Sequence, residues 1–462
     1  MRLPLRPLAL AAVLAALPGL ACATGLLQAW QAAWQHDREL AVARADHARA
    51  QPLRDQAAAL WRPGVALTAA AGVATGETDM RGAQFSAPGF GRSTGVDFGT
   101  SVTGGTATRW ALQASQPLYN PQRRAQQRQL GLQAEMAELQ WQAQRQQAML
   151  RTAQRYLALA VAQEALRVQD QQLAAVRQAF GEAQERFDIG DAPVTDVHEA
   201  RARLAALQAQ RLAAQTERDL QRQALADTTG LPSSSLDARL PRPGMGAPPQ
   251  ALAQPLEAWQ READGANPAI RLQALAVQAA RAEAERHGRA ASPSIDLVAQ
   301  AGQDRLRGSG DYGSARNGST QALVGVQLTV PLYTGGWRSA KEEESLRLQD
   351  KAQAQEDSLR EQVAAQVHAA WLGLSLGAER VQALQQALQA SEARLDATHT
   401  GREAGDRTLL DWLNAQSDTA AARLALAQAR SALLLDGLRL ALLAGQQGED
   451  ALRQADQMLA LP

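Results

Sequence analysis

Three observations predict a mainly helical, internally duplicated chain with a small β part. Pro117-Leu118-Tyr119 returns as Pro331-Leu332-Tyr333 at a shift of 214, and Gly190-Asp191 returns as Gly405-Asp406 at a shift of 215. Leu159, Leu166, Leu173, Phe180 and Phe187 recur every seven residues, as do Leu374, Val381, Leu388 and Leu395 in the second copy. Between the helical stretches lie short segments that alternate apolar and polar residues. A repeat this long means two equivalent halves, and a sustained heptad seam means long helices packed side by side with left-handed coiling.

Taken in order, residues 1–23 carry Arg2 and Arg6, an apolar run from Leu8 to Leu20, and Ala21-Cys22-Ala23, the pattern of a secretory signal peptide with Thr24 as the expected mature start. Cys22 is the only cysteine and admits a second reading as a lipidated residue. Gly19-Leu20-Ala21 speaks against it, because Leu lies next to Ala rather than at the third position before the cysteine. Without residues 1–23 the chain has 45 basic against 47 acidic residues, a net charge of −2 that gives no electrostatic footprint for nucleic acid.

The first repeat is expected over 24–230 and the second over 267–445, with an inter-repeat linker at 231–266 and a tail at 446–462. A helix from about Leu26 to Leu60 matches one from about Pro268 to Arg289, and Pro63 and Pro293 close them. A β-hairpin follows in each half, over 64–118 and 294–332. Val65, Leu67, Ala69, Ala71 and Val73 share one face of a strand, as do Ile295, Leu297, Ala299 and Ala301 in the second copy. Trp110, Leu112 and Ala114 alternate with Arg109, Gln113 and Ser115; Ala322, Val324, Val326, Leu328 and Val330 alternate with Gln321, Gln327 and Thr329. The stretches Thr75–Thr106 and Gly302–Thr320, rich in Gly, Ser, Thr and Asp, read as hairpin loops, and the first is 16 residues longer.

From Pro121 to Ile189, and again from Arg338 to Ala404, runs a helical pattern with no internal proline. Each rod turns at Gly190 or Gly405 and returns as a helix ending near Gly230 or Gly445. The Pro-, Gly- and Ser-rich segment 228–254 and the tail show no convincing period and read as belts against the rods.

Four strands are too few to close a membrane barrel, so strands in a membrane would need completion by other copies; three copies supply twelve. The competing reading is a soluble sheet capping a coiled coil. Enzyme readings find little support: His36, His47, His198, His287, His368 and His399 form no metal-binding spacing, no phosphate-cradling glycine loop occurs, and no cofactor is expected.

The duplicated helix-strand-strand-helix-helix order, the Pro-Leu-Tyr strand ends and the bend motifs resemble the TolC family of outer-membrane efflux channels. The motifs are Arg186-Phe187-Asp188-Ile189-Gly190 through Thr195-Asp196-Val197-His198-Glu199-Ala200-Arg201, and Gly405-Asp406-Arg407-Thr408 through Asp411. The resemblance implies a homotrimer in the outer membrane: a coiled-coil helical barrel in the periplasm, continued by a twelve-stranded transmembrane β-barrel with four strands per subunit. The version of the first bend found here looks closer to the type I protein secretion branch than to drug efflux, and small-molecule efflux is the alternative. A soluble periplasmic adaptor without a pore is the alternative from another class. The implied partners are outer-membrane lipid, an inner-membrane transporter, ABC-type in this branch, and a periplasmic adaptor protein.

The resemblance also implies residue roles. Arg407 tied to Asp196 would hold the closed periplasmic gate, Asp411 would ring the constriction, and Gly190, Asp191, Gly405 and Asp406 would form the adaptor-contacting tips. Tyr119 and Tyr333 would anchor the barrel edge. Near that ring two positions depart from the family pattern, Asn414 where a second acid is usual and Arg402 where an aromatic helps hold the gate, and at the tips Asp191 and Asp406 stand where an apolar or small polar residue is usual.

Overall fold

The computed structural model describes residues 24–89, 91–242, 254–289, 292–311, 313–446 and 448–459. The expected signal peptide, Cys22 and most of the segment 243–254 lie outside the described residues. The elements in chain order are α1 (Leu26–His36), α2 (Arg38–Ala48), α3 (Ala50–Ala59), β1 (Gly64–Ala87), β2 (Gly91–Tyr119), α4 (Pro121–Asp188), α5 (Val194–Thr229), α6 (Leu256–Ala266), α7 (Pro268–Gly288), β3 (Ser294–Gly310), β4 (Gly313–Thr329), α8 (Trp337–Glu403), α9 (Leu409–Leu443) and α10 (Gly448–Gln457). They fall into two compact units. One comprises Met1–His47, Glu138–Gln273 and Gln355–Pro462; the other comprises Ala48–Ala137 and Ala274–Ala354.

The second unit carries the sheet, antiparallel throughout in the order β1-β2-β3-β4. Strand pairing puts Val65, Leu67, Ala69, Ala71 and Val73 on the same face as Trp110, Leu112, Ala114, Leu297, Ala299, Val324 and Val326. Those side chains stand in the open, Val73 at 85% and Val324 at 77% exposure. The opposite face is lined by small and polar residues, among them Thr68, Arg109, Gln113, Gln300, Asp304 and Gln327. The stretches expected as loops are strand instead: β1 runs to Ala87, β2 starts at Gly91, and β3 and β4 are separated only by residues 311–312. Antiparallel partners satisfy the backbone of these Gly- and Thr-rich stretches, so side-chain composition alone does not end the strands.

The helices belong to both units, since α3, most of α7 and the first parts of α4 and α8 fall in the unit that carries the sheet. α4 is 68 residues long and α8 is 67, so each reaches roughly 100 Å. Asn120 caps α4, its Oδ1 accepting from Arg123 N at 3.0 Å, with Pro121 at the first helical position where no N–H is needed.

The single first helix expected over 26–60 is three helices. Asp37 interrupts it with an extended ψ of 118°, and its Oδ1 then accepts from Glu39 N (2.8 Å) and Leu40 N (3.3 Å) to cap α2. Asn267 does the same between α6 and α7, accepting from Ala269 N at 2.9 Å and Ile270 N at 3.4 Å. α6 lies in the segment read as linker, at a shift of 230 from α1, so the repeated unit begins earlier than expected. In the tail, α10 buries Leu452 and Ala455, and Pro241 bridges Leu459.

Two apolar cores repeat the same positions. One gathers Trp30, Ala33, Leu40, Tyr156, Leu159 and Leu225. The other gathers Ala263, Ile270, Leu374 and Leu440, equivalents of Ala33, Leu40, Leu159 and Leu225. Tyr156 is fully buried and its hydroxyl accepts from Arg239 N at 3.0 Å, which fixes the segment after α5 to the rod.

Burial pushes the Tyr156 phenol from 10.0 up to about 12, partly opposed by the Arg239 backbone hydrogen bond and the nearby Arg239 charge. An acid whose native pKa is raised adds stability below its unfolded pKa and loses it as pH climbs through the native value. Wild type should therefore lose stability relative to Tyr156→Phe between about pH 10 and about pH 12, on top of a constant cost for the lost hydrogen bond. Chemical denaturation of both proteins across that window checks this; a pH-independent difference would contradict it.

Candidate functional site

The two helix bends sit in the first unit and share one apolar core. Leu173, Val176, Ala179 and Ala183 of α4 pack with Val197, Ala200 and Leu207 of α5, and with Leu409, Trp412 and Leu413 of α9. Each bend is made by a glycine in the left-handed region, Gly190 at φ 81° and Gly405 at φ 87°, which any Cβ would strain. Nothing else lies within 4 Å of where a Cβ would stand at either, so the backbone angle and not space selects glycine. The amides beyond each glycine fold back: Asp191 N donates to Arg186 O at 2.7 Å and Asp406 N to Gly401 O at 2.8 Å. Asp191 also pairs with Arg186 Nε at 3.0 Å, and both tips are exposed.

The two bends differ in the start of the returning helix. α5 begins after Pro193 with no side-chain cap, whereas α9 begins with a capping box. Thr408 Oγ1 accepts from Asp411 N at 3.1 Å, while Asp411 Oδ2 accepts from Thr408 N at 3.1 Å and from Thr408 Oγ1 at 2.9 Å. These hydrogen bonds, backbone first, hold the Asp411 carboxyl below its ordinary 3.8, with Arg407 and Arg394 adding smaller attraction. Asp411 and the exposed Asn414 are three residues apart and so lie on one face of α9.

Arg402 is placed by two partners. Its guanidinium pairs with Glu182 of α4 and lies 5.2 Å from the ring centroid of Trp412. Among the described residues of this single chain, no ion pair joins Asp196 to Arg407. Asp196 lies in the first turn of α5, and Arg407 packs against Gly401. Glu182 and Trp412 are functional candidates that sequence reasoning missed. Glu182 lies 220 residues from Arg402, and no local pattern in the sequence marks the contact. The aromatic ring at this place belongs to Trp412 on α9, against which Arg402 lies.

Tyr119 ends β2, half-exposed, and Tyr333 stands almost fully exposed beyond the end of β4. Among the described residues no group of His, Cys, Asp or Glu could hold a metal ion, and no helix is long and apolar enough to cross a membrane.

Residues 29–231 and 259–446 match the family described as outer membrane efflux protein. The chain belongs to the outer membrane efflux protein family. This is the family, named also for TolC, that the bend motifs resemble, and membership places the chain in the outer membrane among transport proteins rather than enzymes. The break in the match, between 231 and 259, falls between the two copies of the repeat.

Among its relatives, the outer membrane efflux protein BepC of Brucella suis is 31% identical over 290 residues, which span 62% of this chain and 60% of that protein. The proteases secretion protein PrtF of Dickeya chrysanthemi is 26% identical over 448 residues, 96% of this chain and 93% of the relative. In fold, the chain is similar to the outer membrane protein VceC from Vibrio cholerae, with a TM-score of 0.70 at 21% identity over 91% of this chain and 96% of that one. The mainly helical chain with four antiparallel strands is thus the efflux-family fold.

In this efflux-family chain, Thr408 is the residue through which the capping of α9 and the charge of Asp411 can both be changed. Thr408→Ala should cost the start of α9 about 1 kcal/mol and raise the Asp411 pKa toward its ordinary value. Hydrogen exchange of the amides at 409–413 should speed up roughly fivefold. Unchanged exchange there would mean that the capping box does not hold the bend.

Proposed function

We propose that this chain forms the outer-membrane exit duct of a tripartite export system and that its cargo is protein, as in type I secretion. The observation that carries the duct is the sheet: four strands, one face apolar and exposed, the other polar, and two edges without partners. Three copies closing edge to edge would remove those edges and enclose the polar face as a lumen, which satisfies every backbone group in hydrocarbon. An inner-membrane transporter supplies the energy and a periplasmic adaptor meets the exposed tips at Gly190-Asp191 and Gly405-Asp406. The soluble adaptor alternative falls with family membership.

The secretion branch is favoured by the match to PrtF along nearly the whole chain and by the Thr195-Asp196-Val197-His198 bend. Small-molecule efflux is the second reading, favoured by the higher identity to BepC over a shorter stretch. Co-purification of the chain with its transporter separates the two: a protein-secreting ABC transporter fits the first, a proton-driven pump the second.

In the closed duct, Arg407 and Asp196 meet between subunits, and Asp411 and Asn414 ring the narrowest point. Tyr119 and Tyr333 lie at the membrane edge, where aromatic rings bridge lipid and water. Within each subunit the Arg402 pair with Glu182 fastens α8 to α4 beside the bends. Such half-exposed ties contribute roughly 0 to 1 kcal/mol, enough to bias a gate and weak enough to break.

Purified trimers in planar bilayers should show cation-selective conductance, because a ring of like charges attracts counter-ions. Asp411→Ala should move the reversal potential in a salt gradient toward zero. Arg402→Ala should raise the open population by up to roughly fivefold. Trimeric protein that conducts no cations sinks the duct; an unchanged reversal potential in Asp411→Ala removes that residue from the constriction.

A further inference from the structure

The apolar face of the sheet ends in a cluster of arginines. Along that face, β3 runs Ile295, Leu297, Ala299, Ala301, Gln303, Arg305, Arg307, and its partners on β4 run Leu328, Val326, Val324, Ala322, Thr320, Gly318, Arg316. Arg307 stands directly opposite Arg316, and Arg305 is two residues away on the same face. All three side chains are exposed, and none has an ion-pair or side-chain hydrogen-bond partner among the described residues.

Directly opposed like charges destabilise a strand pair unless something neutralises them. The other face of the sheet handles its charge internally: Arg109 pairs with Asp304 across β2 and β3. On the apolar face no carboxylate among the described residues pairs with the three arginines. Thr106 and Thr108 pair with Arg307 and Arg305, and Trp110 with Gln303 one step below. Among the described residues nothing offsets that repulsion, which leaves the three guanidinium groups open to an anion from outside the chain.

The position along the strand says which anion. Arg305 is ten residues beyond Ile295, where β3 leaves its helix. At about 3.3 Å per residue and a tilt of about 40°, those residues rise about 25 Å, the height of the apolar band of a membrane barrel. The arginines therefore stand just past the far edge of the hydrocarbon, with Trp110 at the aromatic level beneath them. A face that is apolar for one membrane thickness and cationic immediately beyond it matches a lipid with a strongly anionic headgroup.

We propose that Arg305, Arg307 and Arg316 form a binding site for the phosphate groups of the phosphorylated glycolipid in the outer leaflet. This rests on the reading that the apolar face meets lipid. Guanidinium groups suit the task, since each offers two parallel N–H donors to a phosphate. Bound lipid would offset the Arg307–Arg316 repulsion and hold the distal rim of the sheet in register.

Native mass spectrometry of the purified, bilayer-competent trimer, with divalent cations chelated, tests the site against bisphosphoryl lipid A, the same lipid stripped of both phosphates, and phosphatidylglycerol. Wild type should prefer the phosphorylated glycolipid. Arg→Gln at all three positions should weaken that binding on the order of a hundredfold, taking roughly fivefold per basic residue at an anionic surface. The triple Arg→Lys variant, which keeps the charge and loses the paired donors, should fall between wild type and the Arg→Gln triple, and Arg109→Gln on the other face should change nothing. Equal affinity of wild type for the phosphorylated and stripped lipids overturns the proposal without any variant. So does unchanged binding in a trimeric Arg→Gln triple, and phosphatidylglycerol held as tightly through the same arginines overturns the glycolipid assignment. Wild type that fails to insert into bilayers overturns the lipid-facing premise itself, whereas an inserted trimer indifferent to lipid phosphate overturns this inference alone.

Discussion

The constraint on which the rest of the structure depends is that the sheet cannot be finished by one chain. Among the described residues, β1 and β4 each present an outer edge that no further strand pairs with, and the apolar face exposes Val65, Leu67, Val73, Val324, Val326 and Leu328. In water that face is unstable, and in hydrocarbon each unpaired backbone group costs several kcal/mol. Closure by further copies answers both demands at once. It also gives the duplication a use: two hairpins joined through β2 and β3 let each copy contribute one continuous four-stranded segment.

The same duplication gives two bends with one backbone device and two chemistries. Both turn at a left-handed glycine and both fold the following amides back onto the preceding helix. Only the second places a carboxylate in a capping box, so that Asp411 is tied to Thr408 and held in its charged form. A capped acid keeps its position and its charge together, as the constriction proposed at Asp411 requires. The uncapped Asp196 in the first bend is left for other contacts.

Much of this was legible in the sequence because periodicity and repetition are local or self-referential signals. The heptads, the strand faces and the Gly190 and Gly405 bends were all read at the right residues. What was missed depended on partners distant in sequence. The break at Asp37 has no glycine or proline; it exists because a carboxylate caps α2 and meets Arg151 across 114 residues. α6 is only eleven residues long and follows a Pro- and Gly-rich stretch, so its period was swamped. The Gly- and Thr-rich strand ends look like loops until their antiparallel partners are seen. Likewise Arg402 read as a lost aromatic, whereas its Glu182 and Trp412 contacts come from two other helices.

Packing along the rods is graded, and the gradient runs toward the bends. Leu159 and Leu374, equivalent positions in the two cores, are fully buried. Further along α4, Leu173 is still buried, Phe180 is partly so, and Phe187 stands 39% exposed. On α8 the series goes from buried Val381 to partly buried Leu388 and Leu395. Beyond Leu173 the buried contacts of α4 narrow to Val176 and the small Ala179 and Ala183, with Phe180 partly buried, so less area is buried per residue than around Leu159. Local opening free energy falls where apolar contacts thin out, so the segments free to move are those next to Gly190 and Gly405. The cores around Tyr156 and Leu374 lie midway along α4 and α8, so the gate proposed at the bends would leave them intact and would have to break the Arg402–Glu182 tie and the smaller core that Leu173, Val176, Ala179 and Ala183 form with α5 and α9.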